Sequence, residues 1–295
     1  MRLISLLLFT MLGASILKLS AVNSGFFYYK QLGVKEGLSQ SKVQAILNDH
    51  QGYLWIGTEA GLNRYDNYHL KQYLHYPEDT TSLPSNEILF VAEDALYNLW
   101  VATKAGMCLY DPQNDSFKKV STSTDKEIYA SSYLLVDDGI VFGGKSCIYK
   151  FKYSTKEWEM YAFEHLLPKN ISFRKMVRYN NRILINTQWY GIYSFDSETK
   201  QLTKIEEFSA DNYSTIYVDR KHCLWVSPYG KGLFCYEDGK LVRQFSSKNS
   251  ALTYDVIHDI IEKENQLWIA TDGGGVNILS LDDFSFSHIN KVRDD

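Results

Sequence analysis

The chain has little proline, five residues in 295, and little cysteine, four. Against those few prolines stand 22 Tyr and 15 Phe, and aromatic rings suit a pleated, half-buried surface, so the balance favours many short strands. Cys108, Cys147, Cys223 and Cys235 show no CxxC spacing, which speaks against a zinc site. A basic cluster is also missing: 31 Lys and Arg oppose 35 Asp and Glu for a formal charge of -4, and this leaves no electrostatic footprint for nucleic acid. Low-complexity tracts are absent, so no part of the chain is expected to be disordered. GxSxG, HExxH and P-loop patterns are absent too. The seven histidines, His50, His69, His75, His165, His222, His258 and His288, are scattered. Catalysis is therefore poorly supported, and neither a cofactor nor a metal is expected.

Long hydrophobic runs are lacking except at the start. Met1-Arg2 is followed by an almost wholly apolar stretch, residues 3–17, and then by small and polar residues 18–24. The run is about 15 residues, short of the roughly 20 that span a bilayer as a helix. It reads as a secretory signal peptide over 1–24, with an uncleaved anchor as the alternative. No Cys follows it, so a lipoprotein anchor is not indicated. Export is therefore expected.

What the chain does have is repetition. Leu54-Trp55-Ile56-Gly57-Thr58 returns as Leu99-Trp100-Val101-Ala102-Thr103, Leu224-Trp225-Val226-Ser227 and Leu267-Trp268-Ile269-Ala270-Thr271. Alignment on the Trp gives Trp55, Trp100, Val141, Leu184, Trp225 and Trp268, spaced by 45, 41, 43, 41 and 43 residues. A period of about 40 to 45, with short apolar strands and turn residues in each unit, predicts an all-β propeller of four-stranded blades. Six units are visible, at about 37–82, 83–125, 126–170, 171–210, 211–250 and 251–295 of a propeller domain spanning 25–295. In the third and fourth, Val141 and Leu184 keep the apolar alternation but give up the ring.

The first unit reads as strands at 43–48, 53–57, 62–65 and 71–76, with Gly52 and Gly61 at turns that call for positive φ. Asp49, Asp94 and Asp219 end the first strand of their units and read as turn caps rather than acids. The repeated Trp residues read as packing between blades, and Trp158 as structural too. Cys223 and Cys235 flank one hairpin; pairing Val226 with Gly232 would place them opposite each other, as a cross-strand disulfide or as two packed thiols. An aromatic strand at 25–32 precedes the first unit and is surplus to six blades, so an incomplete seven-bladed propeller is the expectation.

Strand direction alternates, so the loop entering each first strand and the loop between second and third strands share one face. That face carries Gln40, Ser41, Glu59, Asn86 and Lys104, then Lys145, Arg174, Trp189, Tyr190, Tyr229, Lys231, Tyr254 and Asp272. Trp189, Tyr190 and Tyr229 stand where other units place small or polar residues. Aromatic faces beside charged and amide groups suit a sugar, whose C–H face stacks while its hydroxyls hydrogen-bond. Packing against a neighbouring domain or a dimer partner is the other reading. Lys104, Lys145, Arg174 and Lys231 offer charges to an acidic glycan, or are simply solvated. The candidate ligand-binding set is Trp189, Tyr190, Tyr229, Lys231, Lys104, Glu59, Arg174 and Asp272.

The runs from Gly37 to Val43, Leu47 to Thr58 and Gly61 to Asp66 closely resemble the two-component regulator propeller repeat, typical of periplasmic sensor regions of Bacteroidetes-type hybrid histidine kinases. That resemblance implies partners: a further propeller, a small β-sandwich, and an inner-membrane helix leading to a kinase core and response regulator. It also implies an oligosaccharide ligand. The chain departs from the pattern in having no second hydrophobic span and no kinase core. Three readings stand: a periplasmic carbohydrate-sensing input region that is not itself an enzyme; a propeller lyase, which would need a His and a metal-binding acid on the axial face; and a structural propeller that docks other domains.

Overall fold

The computed structural model describes residues 32–122, 127–167, 171–187, 189–208 and 212–289. The expected signal peptide and nearly all of the surplus leading strand lie outside these residues. The described residues form six antiparallel sheets of four strands, each sheet built in sequence order. The described residues thus make six blades of a β-propeller. Blade 1 comprises Val43–Asn48, Leu54–Thr58, Gly61–Tyr65 and Leu70–Tyr73 from inside to outside. The other inner strands are Ile88–Glu93, Ser132–Val136, Phe173–Tyr179, Tyr213–Val218 and Ile257–Lys263. Each packs on the next in that order.

The aligned Trp position is one structural place. Trp55, Trp100, Val141, Leu184, Trp225 and Trp268 pair across the ladder with Leu47, Ala92, Leu134, Val177, Tyr217 and Ile261. Trp55, Trp100 and Trp225 are almost wholly buried, each in a cluster shared with the following blade, where Val91, Phe142 and Ile260 meet them. Trp158 packs edge-on to Trp100 at 5.8 Å.

The aspartates do more than cap turns. Asp49 Oδ1 accepts the backbone N–H groups of Gln51 and Tyr53 at 3.0 and 2.9 Å, and its Oδ2 accepts the Trp55 indole N–H at 2.7 Å. Asp94 and Asp219 do the same for Trp100 and Trp225, both at 2.8 Å. One carboxylate thus fixes the turn and the ring of its blade, and its buried charge is offset by three donors. Turn backbone follows the same economy: Gly52 has φ 87° and Gly61 φ 131°. At Gly61 a Cβ would also lie 2.9 Å from the Tyr73 carbonyl, so only glycine fits there.

Two faces depart from this packing. The inner-strand position that buries Val91, Ile216 and Ile260 leaves Ile46 of blade 1 at 65% exposure, and on the far side of blade 6 Ile261 is 57% exposed. Trp268 beside it is only half-buried, with no hydrogen-bond partner for its indole nitrogen. The hairpin before it is tight, Lys263 pairing with Gln266, and has no room for the capping aspartate.

The expected alignment of Cys223 with Cys235 is corrected. Val226 pairs with Phe234, not Gly232, which sets Cys235 opposite Trp225. Both are buried free thiols. The register shifts because the loop between those strands is wide: Gly230 and Gly232 both take positive φ, and Ser227 Oγ donates to the Gly232 carbonyl at 2.9 Å.

Candidate functional site

The face carrying the candidate residues is held by a repeated clamp. At the end of the second strand a hydroxyl donates to a glycine carbonyl across the loop: Thr58 to Gly61 at 2.9 Å, Thr103 to Gly106 at 2.8 Å, Thr187 to Gly191 at 2.7 Å and Thr271 to Gly275 at 2.9 Å. Adjacent loops are tied as well. Gly61 N–H reaches the Asn86 carbonyl at 2.8 Å and Gly232 N–H the Asp255 carbonyl at 3.0 Å. The loops therefore present side chains from a stiff base, which limits the entropy lost when a partner is bound.

The backbones of the Trp189 and Tyr229 loops are tied through Asn212. Its Oδ1 accepts the Trp189 backbone N–H at 3.4 Å and its carbonyl the Tyr229 N–H at 2.8 Å. Trp189 is 65% exposed and Tyr229 58%. Trp189 also has φ 71°, a backbone conformation that costs a bulky residue about 1 to 3 kcal/mol and that accompanies functional sites. Tyr190 and Tyr254 are exposed too.

The charged candidates are mostly engaged. Glu59 pairs with Lys42 and accepts from Gln44 Nε2 at 3.0 Å; the Lys42 bond holds its carboxyl below the usual range. Lys104 pairs with Glu87 at 2.8 Å, a contact that raises its ammonium. Asp272 lies 3.7 Å from His258 Nε2. Arg174 and Lys231 are exposed. Lys104 is therefore a poorer cation for an acidic ligand than the sequence suggests, because a ligand would have to displace Glu87.

Sequence reasoning missed the bulges. In blades 1, 2, 4, 5 and 6 the ladder skips one residue near the start of the inner strand: Gln44, Leu89, Arg174, Ser214 and His258. A bulge re-aims its side chain. Here Gln44 reaches Glu59 and His258 reaches Asp272, so bulge and loop residues act as pairs. His258 had not been placed on this face. Nearer the axis, Lys175 of blade 4 pairs with Asp259 of blade 6, skipping blade 5. Elsewhere, Cys223, Cys235 and Glu237 offer three ligand atoms within 4.8 Å of one another.

Blades radiating from an axis, with stiff loops gathered on one face, define a repeat-built recognition scaffold. Comparison with known proteins narrows the class. Residues 37–60 match the two component regulator propeller family. Histidine kinase P4 of Formosa agariphila is 44% identical over 79 residues, which is 27% of this chain and 6% of that protein. The extracellular domain of a hybrid two-component system from B. thetaiotaomicron superposes with a TM-score of 0.73 at 22% identity, covering 89% of this chain and 36% of that one. Virginiamycin B lyase of Staphylococcus aureus shares the fold at TM-score 0.59 and 15% identity, over 84% of this chain and 85% of that one. This chain thus spans about a third of the solved sensor domain and a small part of the kinase.

Proposed function

We propose that the chain is the ligand-sensing input region of a two-component system, exported to the periplasm, and that the loop face around Trp189 and Tyr229 binds an oligosaccharide. The observation that carries this reading is two exposed rings on clamped loops whose backbones are tied through Asn212. Ring faces stack on the C–H faces of sugars, while Arg174 and Lys231, on the same two blades as the rings, would supply hydrogen-bonding groups. Kinship with sensor regions of histidine kinases supports an input role, with output through further propeller, β-sandwich and kinase domains. Thermal-shift screening against an oligosaccharide panel tests the reading, since a ligand that binds only the folded state raises apparent stability. A hit that survives Trp189→Ala and Tyr229→Ala would refute the site. Silence across neutral and acidic glycans would favour docking of another domain or a second copy on this face.

The lyase reading gains one observation, the His258 and Asp272 pair on the same face. Both side chains are more than half exposed, and neither is held as a general base is held in a working site. The non-enzymatic reading is the better supported.

A further inference from the structure

Blade 1 shows what the repeat does with its Trp. Trp55 lies 5.7 Å from the Tyr73 ring, stacked, and 5.0 Å from Tyr110 of blade 2, edge-on, with the Arg64 guanidinium 5.7 Å over it. These partners have fixed places: Arg64 pairs with Trp55 on the third strand, and Tyr73 pairs with Leu62 on the outer strand. Tyr110 precedes Asp111 at the end of the next blade's third strand.

Blade 3 keeps the seat and loses the occupant. Val141 stands at the Trp place, paired with Lys150 where blade 1 has Arg64. Tyr161 pairs with Ile148 as Tyr73 does with Leu62, and Phe195 precedes Asp196 in blade 4 as Tyr110 precedes Asp111. Val141, Lys150, Tyr161 and Phe195, with Ile148 and Ile183, line one cleft of about 190 Å³ between blades 3 and 4. Blade 4 also lacks its Trp, but there Phe208 packs edge-on to Tyr236 of blade 5 at 5.1 Å. In blade 3, Phe163 meets the edge of Phe195 at 5.7 Å, and the cleft remains.

We propose that this cleft is a binding site for a small, planar, acidic aromatic molecule of about indole size, which takes the place that Trp occupies in blades 1, 2 and 5. The size fits, since a cavity of about 150 Å³ left by removing a core side chain is enough to bind benzene. The walls fit as well: the Tyr161 and Phe195 rings are 5.5 Å apart, and aromatic rings contact one another favourably edge-on or offset. Charge at the mouth sets the sign of the ligand. Lys150, Arg178, Arg182 and Lys200 line it against Asp137, Asp138 and Glu198. Lys150, Arg178 and Arg182 pair with Asp138 at 2.8 Å, Asp137 at 3.0 Å and Asp196 at 3.7 Å, which leaves Lys200 to meet the charge of a ligand. Lys200 sits 4.9 Å over the Tyr161 ring, poised above the seat for a carboxylate. The site lies by the turn between first and second strands, at the opposite end of the blade from Trp189 and Tyr229, so its success or failure is separate from that of the oligosaccharide reading.

Isothermal titration of the chain with indole-3-acetate, and with tryptamine as the cationic counterpart, tests this. Saturable binding of indole-3-acetate is expected, weaker for tryptamine by about tenfold or more. Val141→Trp fills the seat from within and should abolish binding while circular dichroism and melting temperature hold or improve. Should that variant fail to fold, Lys200→Met keeps the stem and removes the charge, and should erase most of the preference for the acid. Absence of binding to the unaltered chain, undiminished binding in folded Val141→Trp, or an unchanged acid preference in Lys200→Met would each overturn the assignment.

Discussion

The indole N–H of Trp100 donates to Asp94 Oδ2 at 2.8 Å, while the other oxygen of the same carboxylate accepts the backbone N–H groups of Leu96 and Asn98, both at 2.9 Å. Removing that carboxylate strands a buried indole donor and opens the turn together. Asp94→Ala is therefore expected to cost about 3 kcal/mol, the range for charge-assisted hydrogen bonds whose partners stay buried. Urea denaturation measures it. Trp268 provides the control: its nitrogen has no partner and the ring is half-buried, so Trp268→Phe should cost clearly less than Trp100→Phe.

Acid should loosen the junction of blades 1 and 2 in a defined window. Burial pushes the Asp115 carboxyl up, but Lys71, Tyr110 and Tyr73 hydrogen-bond to it and bring it down to about 2. A depressed carboxylate contributes stability that is complete above its unfolded value of about 3.9 and is lost as pH falls toward the folded one. Melting temperature should accordingly drop between about pH 4 and pH 2, and Asp115→Asn should flatten that part of the profile while lowering stability at neutral pH. The carboxylate is partly exposed, so the effect is modest and weakens in salt.

At the loop face, function and stability should separate. Trp189 and Tyr229 are largely solvent-exposed, so truncation of either ring to Ala is expected to change unfolding free energy by less than about 0.5 kcal/mol. Binding of any glycan found by screening should weaken at least tenfold, about 1.4 kcal/mol. Titration calorimetry alongside chemical denaturation checks both. Trp189→Gly should even stabilise the loop, since glycine takes φ 71° without strain.

The same aliphatic residue should matter very differently in blade 1 and in blade 5. Ile46 and Ile216 hold equivalent positions on their inner strands, opposite Ile56 and Val226. One is 65% exposed and the other fully buried. Ile46→Asp should be near neutral, within about 0.5 kcal/mol, whereas Ile216→Asp should cost several kcal/mol or prevent folding. Expression yield and denaturation midpoint distinguish them.

The blades were legible because the repeat writes its register into the chain: with Trp55, Trp100, Trp225 and Trp268 aligned, Val141 and Leu184 fell into their true ladder positions without a ring to mark them. The double duty of Asp49, Asp94 and Asp219 was not legible, since a turn cap and an indole acceptor require the same residue at the same place. The bulges at Arg174 and His258 left no trace either, because one unpaired residue near the start of a strand does not disturb the alternation that follows it. Cys223 and Cys235 were misaligned for a related reason, a hairpin loop whose width depends on glycine dihedrals that the sequence does not display. The cleft between blades 3 and 4 was readable only as a missing ring; that no other side chain fills the space depends on packing.

The exposed faces at Ile46 and Ile261 bear on how the protein unfolds. Inner strands pack one on the next from blade 1 to blade 6, so stability behaves as in a linear array of nearest-neighbour couplings. Among the described residues, blades 2 to 5 are each packed from both sides, while blade 1 exposes Ile46 and blade 6 exposes Ile261. Amide hydrogens of the outermost sheets should exchange first and those of the middle blades last, giving the propeller a gradient of local opening free energy along its circumference.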